Sequence, residues 1–177
     1  SIGFMLSKPD DAIVWRGPKK TAIIKSFLKD VEWGQLDYLV VDSPPGTSDE
    51  HISIVQYLLH CQNLSGAVIV TTANDLSVID ARKGLKMFEK VAMPVLGVVE
   101  NMSYFVPPDL PDRRYYIFGQ GGGRRVADEL GVDFLGEVPI QIPIREHGDA
   151  GRTAVVSEPT PPPEMKSPSG LIGSGWC

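Results

Sequence analysis

The run Asp37-Tyr38-Leu39-Val40-Val41-Asp42-Ser43-Pro44-Pro45-Gly46-Thr47-Ser48-Asp49-Glu50-His51 holds the residues best suited to chemistry. An apolar stretch over 38–41 ends in one carboxylate, Asp42. A buried strand that delivers a single acid to the carboxyl edge of a sheet is how α/β nucleotide hydrolases hold a metal-bound water. Pro44-Pro45 makes a stiff turn, and Gly46 lets a backbone N–H approach a phosphate that a side chain would obstruct. Thr47 and Glu50 fit the capping-box spacing, so a helix is expected at once, with Ile52, Val55, Leu58 and Leu59 on one face. The competing reading is a βα turn whose Asp only caps the helix.

Asn101 follows an expected strand at its carboxyl end, where open α/β sheets bind ligands. Its amide donates and accepts at once, which matches the N6/N7 edge of adenine; the alternative is a loop Asn bonding its own backbone. Arg16, in Trp15-Arg16-Gly17-Pro18, can pair with a phosphate or a carboxylate, or stack on Trp15. Gly119-Gln120-Gly121-Gly122-Gly123-Arg124-Arg125 looks like a phosphate cradle at a helix start. It fails as G-x-G-x-x-G because Arg124 stands at the last glycine position, and a hinge into the helix is the expectation. His51, His60 and His147 show no metal-ligand spacing, and His51 is expected as a polar contact of its helix. Lys19, Lys20, Lys25 and Lys29 read as a solvated helix face.

The elements that must position these residues alternate. Strands are expected near 2–6, 38–41, 67–71, 95–99 and 134–136, and helices near 19–29, 49–59, 76–91 and 123–130, with Gly131 as a C-cap residue. Leu39-Val40-Val41 and Val68-Ile69-Val70 are apolar without alternation, which suits central parallel strands covered on both faces. The fold class is therefore α/β, a doubly wound, mostly parallel sheet. One domain is expected over 1–156, followed by a disordered Pro/Ser/Gly-rich tail over 157–177.

Composition narrows the function. The 177 residues suffice for one core, and 42% hydrophobic with 22% charged residues is ordinary for a soluble protein. A net charge of −5 argues against nucleic acid as partner. No apolar run spans a bilayer and no signal peptide is visible, so no membrane partner and a cytoplasmic location are expected. Cys61 and Cys177 lie far apart and form neither a disulfide framework nor a metal knuckle, which fits a reducing compartment. The sequence contains no G-x-x-x-x-G-K-[ST] phosphate loop, and a first βαβ portion is expected to be missing.

Several segments together resemble the Mrp/ApbC family of nucleotide-binding iron–sulfur cluster carriers, in the MinD-like branch of P-loop NTPases. They are Ser1-Ile2-Gly3-Phe4, Val14-Trp15-Arg16-Gly17-Pro18, the whole of 37–51, the stretch 66–72, Gly97-Val98-Val99-Glu100-Asn101-Met102-Ser103, Ile117-Phe118-Gly119, Phe134-Leu135-Gly136-Glu137-Val138-Pro139 and Ile144-Arg145-Glu146. The resemblance implies a SIMIBI-type P-loop fold, slow ATP hydrolysis at a dimer interface, and delivery of [4Fe–4S] clusters to apo iron–sulfur proteins. It implies that Asp42 holds Mg²⁺ through water or positions the attacking water, and that Gly46 offers its N–H to the γ-phosphate; Thr47 and Ser48 can do the same, though helix capping alone explains them equally well. It implies that Asn101 faces adenine under a loop near Pro139, and that subunits form homo- or hetero-dimers with family members; Arg16 is a nucleotide-side candidate on its own chemistry. The family's N-terminal phosphate loop and adjoining Asp segment are absent from this sequence, as is the C-x-x-C that most members carry after Asn-Met-Ser; 106–114 contains no thiol. No iron–sulfur ligand is therefore assigned. The leading expectation is an ATP-dependent iron–sulfur cluster carrier without its phosphate loop. The alternative is a non-hydrolysing interaction module that dimerises with family partners. A MinD-like positioning ATPase is disfavoured because the chain shows no basic amphipathic C-terminal helix.

Overall fold

The computed structural model describes residues 17–60 and 64–153. The expected strand over 2–6, Arg16, both cysteines and the tail over 157–177 lie outside them. The chain divides into two compact units, Ser1–Leu64 and Ser65–Cys177. The first contains helices α1 (Gly17–Lys29) and α2 (Asp49–Leu58). The second runs β1 (Ala67–Thr71), α3 (Asp75–Lys90), β2 (Val95–Phe105), α4 (Gly122–Leu130), β3 (Phe134–Ile140) and α5 (Ile142–Asp149).

In the second unit all three strands are parallel, in the order β1-β2-β3, and each is joined to the next by a helix. Thr71 lies opposite Glu100, and Glu100 opposite Glu137, so the strands' carboxyl ends share one edge of the sheet. The core forms where α3 and α4 meet one face. Val78, Ala81 and Leu85, spaced three and four apart on α3, join Val126 and Ala127 of α4 over Ile69 and Val98. Val78, Val98 and Val126 are essentially sealed from solvent, each stabilising the unit by about 1.5–3 kcal/mol. On the other face of β1, Val68 and Val70 are 46% and 62% exposed. Cover on both faces was expected for these residues. Within this unit α3 and α4 both pack on the Ile69 side.

The four expected helices are present, with ends displaced by a residue or two. The strand over 67–71 is found as expected, and the other two in this unit run further. β2 continues through a register shift after Asn101, where Met102 sits at φ 54°, and Phe105 then exchanges N–H···O bonds of 2.9 Å with Tyr115. β3 continues through Pro139, which an edge strand tolerates. Helix α5 was not expected. Its start signal is Pro143 in the first turn, but eight residues ending in Gly-Asp carry little periodicity. The expected strand over 38–41 is not formed. A strand exists through its neighbours' hydrogen bonds, and no described segment pairs with these residues; Val40 is 88% exposed.

Helix ends show one cap foreseen and one irregular. Gly131 closes α4 at φ 67°, with Val132 N–H donating 3.0 Å to the Ala127 carbonyl. Helix α3 ends in the same left-handed fashion, with Met93 N–H on the Phe88 carbonyl at 2.9 Å and Ala92 N–H on the Glu89 carbonyl at 3.1 Å. There the left-handed residue is Ala92, at φ 55°. An L side chain is disfavoured in that region, where glycine is at ease. Ala92→Gly is therefore expected to stabilise the chain by about 0.5–1 kcal/mol, and Gly131→Ala to destabilise it by a similar amount. Urea unfolding followed by fluorescence checks both, and a lowered midpoint for Ala92→Gly would count against this cap.

Candidate nucleotide-facing site

The expected site residues fall into two groups, one in each unit. In the first unit Asp42, Gly46 and Thr47 lie on an exposed extended segment leading into α2. Gly46 has φ 101°, and a Cβ built on it would meet nothing within 4 Å. Glycine is thus required by backbone conformation, and the space beside it is open. The expected Thr47–Glu50 capping box is replaced by one a residue later. Ser48 is the N-cap, extended at φ −86° and ψ 175°, and its N–H donates to Nδ1 of His51 at 3.1 Å. The imidazole takes the place that Glu or Gln usually fills. His51 Nε2 lies 2.6 Å from the Pro44 carbonyl.

Glu50, released from capping, pairs with Lys20 of α1 at 2.8 Å. Thr21 and Ser53 hydroxyls lie 3.4 Å apart, and the Lys25 ammonium sits 6.0 Å from the Tyr57 ring centre. Lys20 and Lys25, expected as solvated, therefore help hold α1 against α2. The Lys20 hydrogen bond, helped by the Ser48 hydroxyl, lowers the Glu50 carboxyl from its ordinary 4.5 to about 2.

In the second unit Asn101 and Pro139 come together. Asn101 is opposite Val138 in the β2–β3 register, so Pro139 follows at the adjoining strand end. Asn101 Oδ1 accepts the Met102 N–H at 3.0 Å, the own-backbone contact weighed against adenine. A carbonyl oxygen has two lone pairs, so this amide keeps an acceptor site and its two N–H donors. Met102 stays in its left-handed conformation beside it, a strained arrangement of the kind ligand sites retain.

Glu100 was not singled out from the sequence, yet it organises this end. It is 1% exposed, and its Oε2 accepts the Gly123 N–H at 2.7 Å. The N-cap of α4 is Gly121, which has no side chain to cap the helix, and Glu100 on the strand supplies the missing acceptor. A Cβ on Gly122 would lie 2.4 Å from the Ala73 carbonyl oxygen, and one on Gly123 3.0 Å from Glu100 Cβ. Gly122 and Gly123 are therefore close-packing positions in a run where a hinge was expected, while Gly121 beside them is open. The usable signal was a pair of glycines at a helix start with no capping side chain. Among the described residues, no three of His, Cys, Asp and Glu are grouped to hold a metal ion, and no helix is long and apolar enough to cross a membrane.

Comparison with known proteins identifies the lineage. Residues 1–169 match the family described as ParA, the NUBPL iron-transfer P-loop NTPases. The chain belongs to this iron-transfer P-loop NTPase family. It is 53% identical over 159 residues to an iron-sulfur cluster carrier protein from Synechocystis sp., covering 90% of this chain and 44% of that protein. The chain thus spans less than half the length of that relative. A nucleotide-binding protein from Archaeoglobus fulgidus, solved in complex with ADP, superposes with a TM-score of 0.65 at 37% identity, over 76% of this chain and 53% of that one. The cell-division ATPase MinD from Pyrococcus furiosus is alike in fold, with a TM-score of 0.50 at 21% identity over 80% of this chain and 51% of its own. The family resemblance and the α/β P-loop fold class read from the sequence are both found.

The Glu50 pairing sets a pH dependence. A carboxyl held low when folded contributes stability above its unfolded value, and this is lost as pH falls through the folded one. The α1–α2 pairing should therefore weaken between about pH 4.5 and about 2, and Glu50→Gln should remove that step. Carbon-13 titration of the Glu50 carboxyl checks this, and a midpoint at 4.5 would contradict it. For Glu100, the Gln variant retains an acceptor and Ala does not. Glu100→Ala should cost about 1–3 kcal/mol through the unsatisfied Gly123 N–H, and Glu100→Gln distinctly less, by thermal unfolding.

Proposed function

We propose that this chain contributes the switch turn and the base-facing strand ends of an ATP-dependent iron–sulfur cluster carrier. The observation that carries the reading is the Gly46 turn, with its left-handed backbone and open flank, in a chain 53% identical to an iron-sulfur cluster carrier protein. Asp42, exposed nearby in sequence, would hold Mg²⁺ through water; the ion, when bound, neutralises phosphate charge. Gly46 and Thr47 would donate backbone N–H groups to the terminal phosphate. Asn101 would read adenine with the amide groups its Met102 bond leaves available, beneath Pro139, and Arg16 would join from the nucleotide side. The cluster is cargo, a [4Fe–4S] unit handed to apo iron–sulfur proteins in the cytoplasm by a homo- or hetero-dimer of family subunits. We take 1–156 as the folded part of one P-loop domain and 157–177 as its tail.

Phosphate-loop donors supply most phosphate contacts in this class, and these 177 residues contain no such loop. The chain by itself is therefore expected to bind Mg-ATP weakly, and micromolar affinity by isothermal titration would reveal a phosphate site of another kind. In a protein carrying the family's phosphate loop ahead of Ser1, Asp42→Asn should abolish turnover while ATP binding persists. Asn keeps the shape but loses the charge that holds Mg²⁺. Asn101→Ala should do the converse, weakening ATP binding and discrimination against GTP with a smaller effect on chemistry. Single-turnover hydrolysis at saturating ATP separates the two, and near-normal turnover in Asp42→Asn would reduce Asp42 to a helix-start residue.

A further inference from the structure

His51 is the one histidine of this chain that the structure buries, at 5% exposure, and it sits on the same face of α2 as Val55, at 2%. Its two ring nitrogens meet opposite partners. Nδ1 faces a donor, the Ser48 N–H at 3.1 Å, and Nε2 faces an acceptor, the Pro44 carbonyl at 2.6 Å. Only one form of the ring satisfies both: neutral imidazole with its proton on Nε2. The ring therefore ties the first residue of the Pro44-Pro45-Gly46 turn to the cap of α2. Prolines lack an N–H, so neither Pro44 nor Pro45 can anchor the turn by donating from its own backbone. The Pro44 carbonyl, met by the His51 ring, is the contact that joins this end of the turn to the helix.

We propose that His51 is a positioning residue that fixes the Pro44–Gly46 turn on α2 and so presets the Gly46 N–H for a phosphate. The proposal rests on the nucleotide reading above. It assigns His51 no contact with substrate. The ring acts through the turn, and Val55, one helical turn on and also buried, shares its face of α2.

The test uses the full chain. Nitrogen-15 spectra of labelled histidine should show His51 as the Nε2–H tautomer. His51→Gln and His51→Ala then separate the two bonds. Gln can still accept the Ser48 N–H, as in an ordinary capping box, but does not reproduce the ring's reach to Pro44. In His51→Gln the turn should lose order, read as a fall of the nitrogen-15 order parameter at Gly46 from about 0.85 to below about 0.6, while Ser48 and the α2 amides stay protected from exchange. In His51→Ala the order at Gly46 and the Ser48 protection should both fall. An Nδ1–H tautomer, or a Gly46 order parameter unchanged in His51→Gln, overturns the proposal. In the protein that carries a phosphate loop, His51→Gln should slow single turnover with Mg-ATP affinity nearly unchanged, and unaltered turnover there also overturns it. Failure of the underlying nucleotide reading shows elsewhere, as normal turnover in Asp42→Asn, so the two failures are distinguishable.

Discussion

The second unit depends on how closely the backbone of α4 lies against the carboxyl ends of β1 and β2. Gly122 leaves no room for even a methyl group against the Ala73 carbonyl. Gly123 lies against Glu100, whose carboxylate receives its N–H. A helix start without a capping side chain and a buried acid without a cation are each unfavourable alone. Joined, they satisfy each other, because the partial positive charge of the helix N-terminus falls on the carboxylate. The contact fixes Glu100 within β2, and the next residue along the strand is Asn101.

What that contact leaves open matters as much as what it closes. Ile69, Val98 and the apolar faces of α3 and α4 seal one side of the sheet. The end of β2 beyond Glu100 is strained at Met102, shifts register, and turns away toward Tyr115. Asn101 and Pro139 therefore stand beside one another where the regular β2–β3 register stops, with most of the Asn101 amide's hydrogen-bonding capacity unspent. The first unit follows a different economy. Its two helices meet through Lys20–Glu50, Thr21–Ser53 and Lys25–Tyr57, polar contacts that hold a short pair whose large apolar side chains, Val55 apart, are only partly covered.

The sequence made much of this legible. The helical spacing of Val78, Ala81 and Leu85, the unbroken run over 67–71 and Gly131 after α4 each mark an element that forms through local signals. The family was carried by the motifs around Asp42 and Asn101, read as whole segments. What was not legible depends on partners distant in sequence. Residues 38–41 read as a strand because their composition is that of a buried one, but pairing is a property of two segments. Glu100 and Gly123 find each other across 23 residues, and neither betrays the contact alone. The capping box slipped by one residue because an imidazole at His51 serves where a carboxylate at Glu50 was the expected acceptor. That left Glu50 for a lysine 30 residues away.

The contact most directly open to test is the proposed one between Asn101, where the regular β2–β3 register stops, and an adenine base. Proton–nitrogen correlation spectra of the labelled chain, titrated with adenosine and separately with guanosine to millimolar concentration, test it without any phosphate contact. Adenosine should shift the Asn101 side-chain NH₂ signals and the Val138 and Ile140 amides, with guanosine leaving them nearly in place. Asn101 signals that stay fixed with adenosine, or move equally with both nucleosides, would contradict it.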